Sequence, residues 1–271
     1  MVKDHLFAGE KVTASPLIIG HRGASSHAPE NTIAAFRMAL EAGAEGLEFD
    51  VQLAADGVPV VIHDATLERT ALRPESVAAL TSKQLAAVDA GSWFNAKNPD
   101  RANPVFSREG VPTLRDVLDL CRDFEGLIYI ELKVNVPEFA ALATAVCDII
   151  RDSPLFPRII VKSFRMAAIP VVRHSLPEVQ TAALFEPSIM TFLRRRRYMI
   201  ALAREFGAHQ ISLHYSLVSR QICSLAAEAN MPIIIWTADD PKWIIRSRRL
   251  GIRSLITNAP ERMLAERKRW S

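Results

Sequence analysis

Residues 18–70 read IIGHRGASSHAPENTIAAFRMALEAGAEGLEFDVQLAADGVPVVIHDATLERT and concentrate ionisable side chains in a short stretch. Glu48 and Asp50 lie two residues apart in the strand-like run GLEFDVQL. Because alternate residues of a strand point to the same face, the two carboxylates are expected to project together. The dipeptide Asp56-Gly57 is typical of a tight hairpin turn, and folding back about it places His63 roughly opposite Asp50.

His21 and Arg22 end the preceding apolar run, PLIIGHRG, which has the composition of a strand covered on both faces. The run and the hairpin together supply three kinds of group: carboxylate oxygens that could bind a metal, two histidines that could carry protons, and the fixed positive charge of an arginine. The segment therefore predicts a site that combines metal binding with acid–base chemistry.

Apolar strands alternate with helical segments along the rest of the chain. The predicted strands are residues 16–21, 45–53, 58–63, 127–133, 158–163, 179–185, 209–213, 232–237 and 254–257. The predicted helices are residues 33–43, 81–88, 113–121, 137–150, 164–175, 189–206, 219–230, 241–250 and 260 onward. Such alternation favours βα units and a largely parallel sheet.

Nine strand candidates exceed by one the number that a closed eight-stranded barrel needs. The hairpin accounts for the surplus, because a hairpin return cannot run parallel to its partner. With 271 residues, close to the usual size of about 250, the chain fits one α/β domain, a (β/α)₈ TIM barrel over residues 1–271.

Residues 65–112 have a different texture, rich in turn residues and with a long loop. They are too long for an ordinary connection, so we expect a small insertion that packs over the strand ends after the hairpin. Trp93 and Phe94 are its expected anchors, in plain packing roles.

Several short motifs follow one another in a recognisable order. HRGA, PENT, GAEGLEFDV, DG and VVIHD occupy residues 21–64, and IELK, KSF, IIWTAD and LITNAP continue the order to residue 260. In this order they resemble the glycerophosphodiester phosphodiesterase family. The resemblance implies a phosphatidylinositol-phospholipase-C-like TIM barrel and hydrolysis of glycerophosphodiesters to glycerol 3-phosphate and an alcohol.

Glu48, Asp50 and Glu131 are the candidate metal ligands. Three carboxylates that converge in a barrel mouth repel one another unless a cation neutralises them. All-oxygen ligation favours one hard divalent cation, Mg²⁺ or Ca²⁺, over zinc. The resemblance assigns the same three residues to the metal. The structural alternative is a set of salt bridges to Arg22 and Lys133.

His21 and His63 are the candidate general acid and general base. Phosphodiester cleavage removes a proton from the attacking oxygen and delivers one to the leaving alkoxide, and histidine can do either near neutral pH. A purely structural role is the alternative, and the resemblance gives both positions the catalytic role. The sequence leaves open which histidine is the acid, and whether water or a substrate hydroxyl attacks.

Arg22 and Lys133 are candidates for binding the phosphate. The arginine fork matches two oxygens at once, and both cations would stabilise charge that builds on the non-bridging oxygens. Lys133 has the alternative of pairing simply with Glu131.

Ser163, Phe164 and Trp236 fall at later strand ends and could line a pocket for the alcohol portion of the substrate, with core packing as the alternative for Trp236. Asn258 has a similar position. In the resembling family the tryptophan strand commonly continues W-T-V-N, whereas this chain reads WTADD. Asp239 then replaces an amide donor by a negative charge near the pocket, which leaves the headgroup preference open.

Glu30 and Asn31, in PENT, resemble catalytic residues in the raw sequence but are interpreted as a turn and a helix cap, with Thr32 as the alternative cap. Asp64 has two candidate roles. It could orient His63 or cap the segment that follows.

The composition excludes some classes of protein and partner. The net charge of +3 mildly favours anionic ligands but does not indicate nucleic acid. Cys121, Cys147 and Cys223 are far apart, as expected for reduced, buried thiols. Without a secretory-type apolar segment or a run long enough to cross a bilayer, we expect a cytoplasmic protein with no stable membrane insertion. A homo-oligomer is compatible with the sequence.

Two other functions stay open at this point. A phosphodiesterase of the lysophospholipase D type, acting on lipid diesters, would have an apolar or basic rim around the pocket. A non-catalytic phosphoester-binding barrel would bind a small-molecule diester without turnover, although the full set of histidines and acids argues against it.

Overall fold

A nine-stranded sheet forms the centre of the protein in a computed structural model that describes residues 15–133, 139–189 and 197–269. The strands are β1 (Leu17–His21), β2 (Gly46–Leu53), β3 (Pro59–Val61), β4 (Leu127–Leu132), β5 (Ile159–Ser163), β6 (Gln180–Phe185), β7 (Gln210–His214), β8 (Ile233–Trp236) and β9 (Ser254–Thr257). Their order is β1-β9-β8-β7-β6-β5-β4-β2-β3, and β1 also pairs with β2. Eight parallel strands, all except β3, therefore close into a barrel, which confirms the predicted fold class.

The hairpin return is the surplus strand, as predicted. β3 runs antiparallel to β2 after a turn at Gly57, whose φ of 74° is left-handed. The backbone N–H of Ile62 donates to the carbonyl of Asp50 at 2.9 Å. His63 therefore lies one residue beyond the position opposite Asp50, at the carboxyl end of the barrel.

The helices lie on the outside of the barrel or in the insertion of residues 65–112. They are α1 (Ile33–Glu41), α2 (Glu68–Ala71), α3 (Ser82–Ala86), α4 (Ser92–Lys97), α5 (Leu114–Leu120), α6 (Phe139–Arg151), α7 (Ala168–Ser175), α8 (Arg197–Glu205), α9 (Arg220–Glu228), α10 (Lys242–Leu250) and α11 (Pro260–Arg269). Of the helix predicted for residues 189–206, α8 is present, and residues 190–196 lie outside the described residues. Of the helix predicted for residues 137–150, α6 is present, and residues 137–138 lie outside the described residues.

The barrel strands are mostly apolar because both of their faces are covered. One face fills the barrel interior, where the buried side chains are Ile19, Tyr129, Ile160, Ala182, Ile234 and Ile256. The other face packs against the helices. Beyond this apolar layer, the charged side chains of β2, β4 and β5 lie towards the carboxyl ends of the barrel, where such barrels carry the active site.

The insertion packs on a small core of its own. That core comprises Ala54, Val60, Ile62, Leu67, Val77, Leu85, Val88, Ala90 and Val111. Phe94 is buried and meets the ring of Phe106 edge-on at 5.7 Å between centroids, while Trp93 packs edge-on against Phe94. The packing role predicted for these two aromatic residues is confirmed, and the insertion lies against the β2–β3 hairpin.

The three cysteines are buried and free, as expected, and burial raises the pKa of Cys121 to about 12 and of Cys147 and Cys223 to about 11.

Among the described residues, the helices are all too short or too polar to cross a bilayer.

Candidate active site

Three buried carboxylates converge at the carboxyl end of the barrel. Glu48 and Asp50 project from one face of β2, and Asp50 lies in register with Glu131 on the neighbouring β4. All three are at most 5% exposed, and one oxygen of each lies within 4.8 Å of the others. The predicted convergence is therefore present.

Two lysines bracket this carboxylate cluster. Nζ of Lys162 lies 2.7 Å from Oε1 of Glu48 and 3.6 Å from Oε2 of Glu131. Nζ of Lys133 lies 2.6 Å from Oε1 of Glu131 and 3.3 Å from Oδ1 of Asp50. Lys162 has no role predicted from the sequence, although its position near the end of β5, in register with Glu131, was the available signal.

Arg22 supplies the third cation. Its Nε lies 3.1 Å from Oδ2 of Asp50, and its Nη1 donates to Oε1 of Glu30 at 2.7 Å. The chain turns sharply here, with φ of 53° at Arg22 and 83° at Gly23. A Cβ at Gly23 would lie 2.5 Å from the carbonyl carbon of Ala35, so only glycine fits.

Asp50 and Lys133 favour their charged forms in this site. Burial disfavours the ionised form of Asp50, but Arg22, Lys133 and His63 together hold its pKa well below the usual range. Burial also opposes the charge of Lys133, yet Asp50 and Glu131 raise its pKa above the ordinary value. The salt bridges that the sequence offered as an alternative are thus present.

The donor set fits a hard divalent cation. Ions of this kind bind oxygen at about 2.0–2.6 Å, so one ion can bridge oxygens up to roughly 4–5 Å apart. Glu48, Asp50 and Glu131 meet that distance, and a carboxylate oxygen that accepts one hydrogen bond retains a second lone pair. The buried Oδ1 of Asn31, which has no hydrogen-bond partner among the described residues, adds an oxygen nearby. The three carboxylates could therefore hold one divalent cation.

His21 ends β1 beside this cluster. Its Nδ1 donates to Oδ1 of Asn258 at 2.6 Å, and its Nε2 lies 3.9 Å from Oε2 of Glu48. Burial lowers the pKa of His21, opposed in part by the Glu48 carboxylate. One ring nitrogen is thus anchored away from the cluster while the other faces it.

His63 has a carboxylate partner instead. Its Nδ1 lies 2.6 Å from Oδ1 of Asp64, and Nε of Arg69 donates to the other oxygen of Asp64 at 2.5 Å. Both Nη atoms of Arg69 donate to Glu30, at 2.8 and 2.7 Å. Of the two roles considered for Asp64, the contact that could orient His63 is present. Arg69, from the insertion, in turn holds the Asp64 carboxylate.

The interpretation of Glu30 and Asn31 as a turn and a helix cap needs correction. Thr32 is the cap, since its Oγ1 accepts from the backbone N–H of Ala35 at 3.2 Å. Asn31 is left-handed with φ of 58°, and its Nδ2 donates to Oδ2 of Asp50 at 3.0 Å. Glu30 lies between Arg22 and Arg69. Local capping rules could not have revealed these long-range contacts.

The candidate pocket residues separate into two groups. Ser163 is 1% exposed, and its Oγ donates to the carbonyl of Leu132 at 3.1 Å. The structure does not bring Ser163 to the carboxylate cluster, because Lys162 takes the inward position on β5. Phe164 and Trp236 do meet, edge-on with centroids 5.5 Å apart, and Trp236 also contacts the ring of His214.

A cavity of about 660 Å³ lies at the opposite pole, near the amino ends of the strands. Basic side chains on its lining are Arg173, Arg204, His209 and Arg253. Its size alone would make this cavity a candidate site. The carboxylate cluster and the two histidines, however, lie at the carboxyl ends of the strands, where barrel enzymes carry their active sites.

A parallel barrel with carboxylates, histidines and cations at its carboxyl ends has the features of a hydrolase of phosphate esters. The model of the glycerophosphoryl diester phosphodiesterase family matches residues 21–262. A glycerophosphodiester phosphodiesterase of Caldanaerobacter subterraneus is 30% identical over 92% of this chain and 96% of its own length. One of Bacillus altitudinis is 27% identical over 93% of this chain and 98% of its own length. The chain belongs to the glycerophosphoryl diester phosphodiesterase family, a family of hydrolases.

Solved structures agree on the fold. The glycerophosphodiester phosphodiesterase of Agrobacterium tumefaciens is 25% identical, with a TM-score of 0.73 over 92% of this chain and 99% of its own. An Oleispira antarctica phosphodiesterase, solved with its product sn-glycerol-3-phosphate, is 23% identical, with a TM-score of 0.81 over 93% of this chain and 96% of its own. Because the family is one of hydrolases, the interpretation as a non-catalytic binding barrel is set aside.

Proposed function

We propose that this protein hydrolyses glycerophosphodiesters to glycerol 3-phosphate and an alcohol, with one divalent cation, Mg²⁺ or Ca²⁺, held by Glu48, Asp50 and Glu131. The observation that carries the proposal is the convergence of these three buried carboxylates within 4.8 Å, beside His21 and near His63. When bound, the cation would polarise the phosphate and stabilise its developing charge.

The two histidines exchange protons with the substrate in this proposal. The Asp64 carboxylate beside Nδ1 of His63 orients the ring, and we assign His63 the role of protonating the leaving alkoxide. His21 has a neutral amide partner, and its Nε2 faces the cluster, which suits it to take the proton of the attacking hydroxyl. That hydroxyl belongs to water or to the glycerol of the substrate, where attack would give a cyclic phosphate.

Arg22 and Lys133 bind the phosphate in this scheme. Both are already held against Asp50, so little side-chain freedom is lost when an anion joins them. Their fixed charge stabilises the non-bridging oxygens as negative charge builds. Phe164 and Trp236 form an aromatic wall suited to the alcohol portion of the substrate.

A panel assay tests the proposal. Glycerophosphocholine, glycerophosphoethanolamine and glycerophosphoglycerol are incubated with Mg²⁺, Ca²⁺ or chelator, and release of glycerol 3-phosphate is measured. We expect ion-dependent turnover that is lost in His21→Ala and His63→Ala but kept in His174→Ala, an exposed control. Hydrolysis of none of the diesters with either ion, or near-normal turnover by His21→Ala, would contradict it.

A lipid diester is the second candidate substrate. Tyr215, 43% exposed, stacks on His214 next to Trp236, and Leu72 is 71% exposed in the insertion shortly after Arg69. Such exposed apolar side chains would contact an acyl chain. Faster turnover of lysophosphatidylcholine than of glycerophosphocholine would favour a lysophospholipase D-type activity over the first proposal.

A further inference from the structure

Asp239 stands where the family resemblance led us to expect asparagine, and its carboxylate is fully engaged. Oδ1 accepts from Oγ1 of Thr257 at 2.7 Å and from the backbone N–H of Asn258 at 2.8 Å. Oδ2 accepts from Nδ2 of Asn258, also at 2.8 Å. The negative charge is therefore directed at Thr257, the last residue of β9, and at Asn258, which follows it.

These contacts fix the orientation of the Asn258 amide. A carboxylate can only accept hydrogen bonds, so the NH₂ group of Asn258 must face Asp239. The amide oxygen must then face the other way, where Oγ of Ser25 donates to it at 2.9 Å and His21 lies at 2.6 Å. The usual ambiguity between amide oxygen and nitrogen is removed by the neighbours.

The orientation of Asn258 in turn selects one tautomer of His21. An amide oxygen next to Nδ1 requires the proton on Nδ1, and a neutral imidazole then has its lone pair on Nε2. That nitrogen is the one 3.9 Å from Glu48. We propose that Asp239 is a positioning residue that acts through Asn258 to hold His21 as the Nδ1–H tautomer, with Nε2 as the proton acceptor of the site.

The exchange of Asp239 by asparagine removes this control. An amide at 239 has only one acceptor oxygen for three donors, and its own NH₂ would meet the NH₂ of Asn258. Reversal of the Asn258 amide relieves that conflict but presents an NH₂ to His21, which forces the proton onto Nε2. A histidine held in the wrong tautomer can lose up to about 10⁴-fold in kcat.

A reciprocal exchange supplies the sharpest test. In the double variant Asp239→Asn/Asn258→Asp, the amide at 239 donates to a carboxylate at 258, and that carboxylate accepts from Nδ1–H of His21. We expect Asp239→Asn to lower kcat at least about tenfold with KM within twofold, as loss of an orienting partner does. Asn258→Asp alone, which brings two carboxylates together, should be impaired too. The double variant should recover most of the lost kcat.

Nitrogen NMR of ¹⁵N-histidine-labelled protein gives a readout independent of activity. The His21 signals, assigned by their absence in His21→Ala, should show an unprotonated Nε2 in the wild type and the double variant, and an unprotonated Nδ1 in Asp239→Asn. Asp240→Asn, an exposed neighbour, is the control and should change neither the spectrum nor kcat. An unprotonated Nδ1 in the wild type would overturn the inference even if the variants fail to fold.

The role of Asp239 in catalysis rests on the proposed function, and the two fail in different ways. If wild-type protein hydrolyses no diester, or if His21→Ala keeps normal turnover, the proposed function fails while the NMR readout still tests the tautomer. If turnover depends on His21 but Asp239→Asn keeps kcat within twofold, or the double variant stays as impaired as the single ones, the positioning role fails and the proposed function stands.

Discussion

Nζ of Lys162 lies 2.7 Å from Oε1 of Glu48, and both side chains are at most 2% exposed to solvent. The same ammonium reaches Glu131 at 3.6 Å, so one lysine compensates two of the three carboxylates proposed to bind a cation. A divalent ion and Lys162 would therefore neutralise the same charges.

Lys162→Met should destabilise the protein most when divalent ions are absent. Removing one partner of a buried ion pair leaves an uncompensated charge, which costs about 3–5 kcal/mol. An ion bound by Glu48 and Glu131 would offset part of that loss. Chemical denaturation with chelator and with Mg²⁺ or Ca²⁺ measures both values, with Lys242→Met, whose side chain is 91% exposed, as the control. An equal loss with and without ions would contradict the shared site.

Glu30→Gln should reduce stability at neutral pH but not in acid. Burial opposes ionisation of Glu30, yet Arg69 and Arg22 lower its pKa below the ordinary 4.5. Its ionised form thus contributes stability that is fully present above about pH 4.5 and is lost as the pH falls through the lowered pKa in the folded protein.

The difference in unfolding free energy between wild type and Glu30→Gln, measured by urea denaturation, should be roughly 1.5–3 kcal/mol at pH 7 and shrink towards pH 3. Glu75→Gln removes an exposed pair with Arg73 and should change stability little at any pH. A difference that stays constant across this pH range would refute the role given to the ionised Glu30.

Gly23→Ala should lower both stability and kcat/KM. The new Cβ would lie 2.5 Å from the backbone of Ala35, in a left-handed residue directly after Arg22. Gly57→Ala is the matched control, because Gly57 has a similar φ of 74° but an open Cβ direction. It should cost only about 1 kcal/mol and leave kcat/KM unchanged. Equal effects of the two substitutions, by denaturation and kinetics, would show that close packing at Gly23 is unimportant.

Asp64→Asn should lower kcat about tenfold or more with little change in KM. The substitution removes the carboxylate that orients the ring of His63 and also weakens the contact with Arg69. Steady-state kinetics with the best diester of the panel measures the split. Asp119→Asn, which removes an exposed ion pair with Arg122, is the control and should have the kcat of the wild type. A normal kcat for Asp64→Asn would contradict the role of Asp64 in orienting His63 as the proton donor.

Much of the architecture could be predicted because it depends on local patterns. The period of apolar residues gave the alternation of strands and helices, and the Asp56-Gly57 turn explained the ninth strand. The projection of Glu48 and Asp50 from one face followed from the two-residue repeat of a strand. The single-domain organisation and the cytoplasmic location stay predictions.

Tertiary contacts over long sequence separations determined the rest. Lys162 on β5 meets Glu48 on β2 across the intervening strand β4. Arg69 meets Glu30 across 39 residues, and Asn258 meets His21 across 237 residues. Sequence periodicity shows which face of a strand a side chain takes, but not which charged group lies opposite. The sequence alone determined the barrel and the types of residue at its mouth, because these depend on local spacing. Only the closed barrel decided which cation neutralises which carboxylate and which ring nitrogen of His21 faces the carboxylate cluster. Both depend on how the ends of distant strands are brought into register.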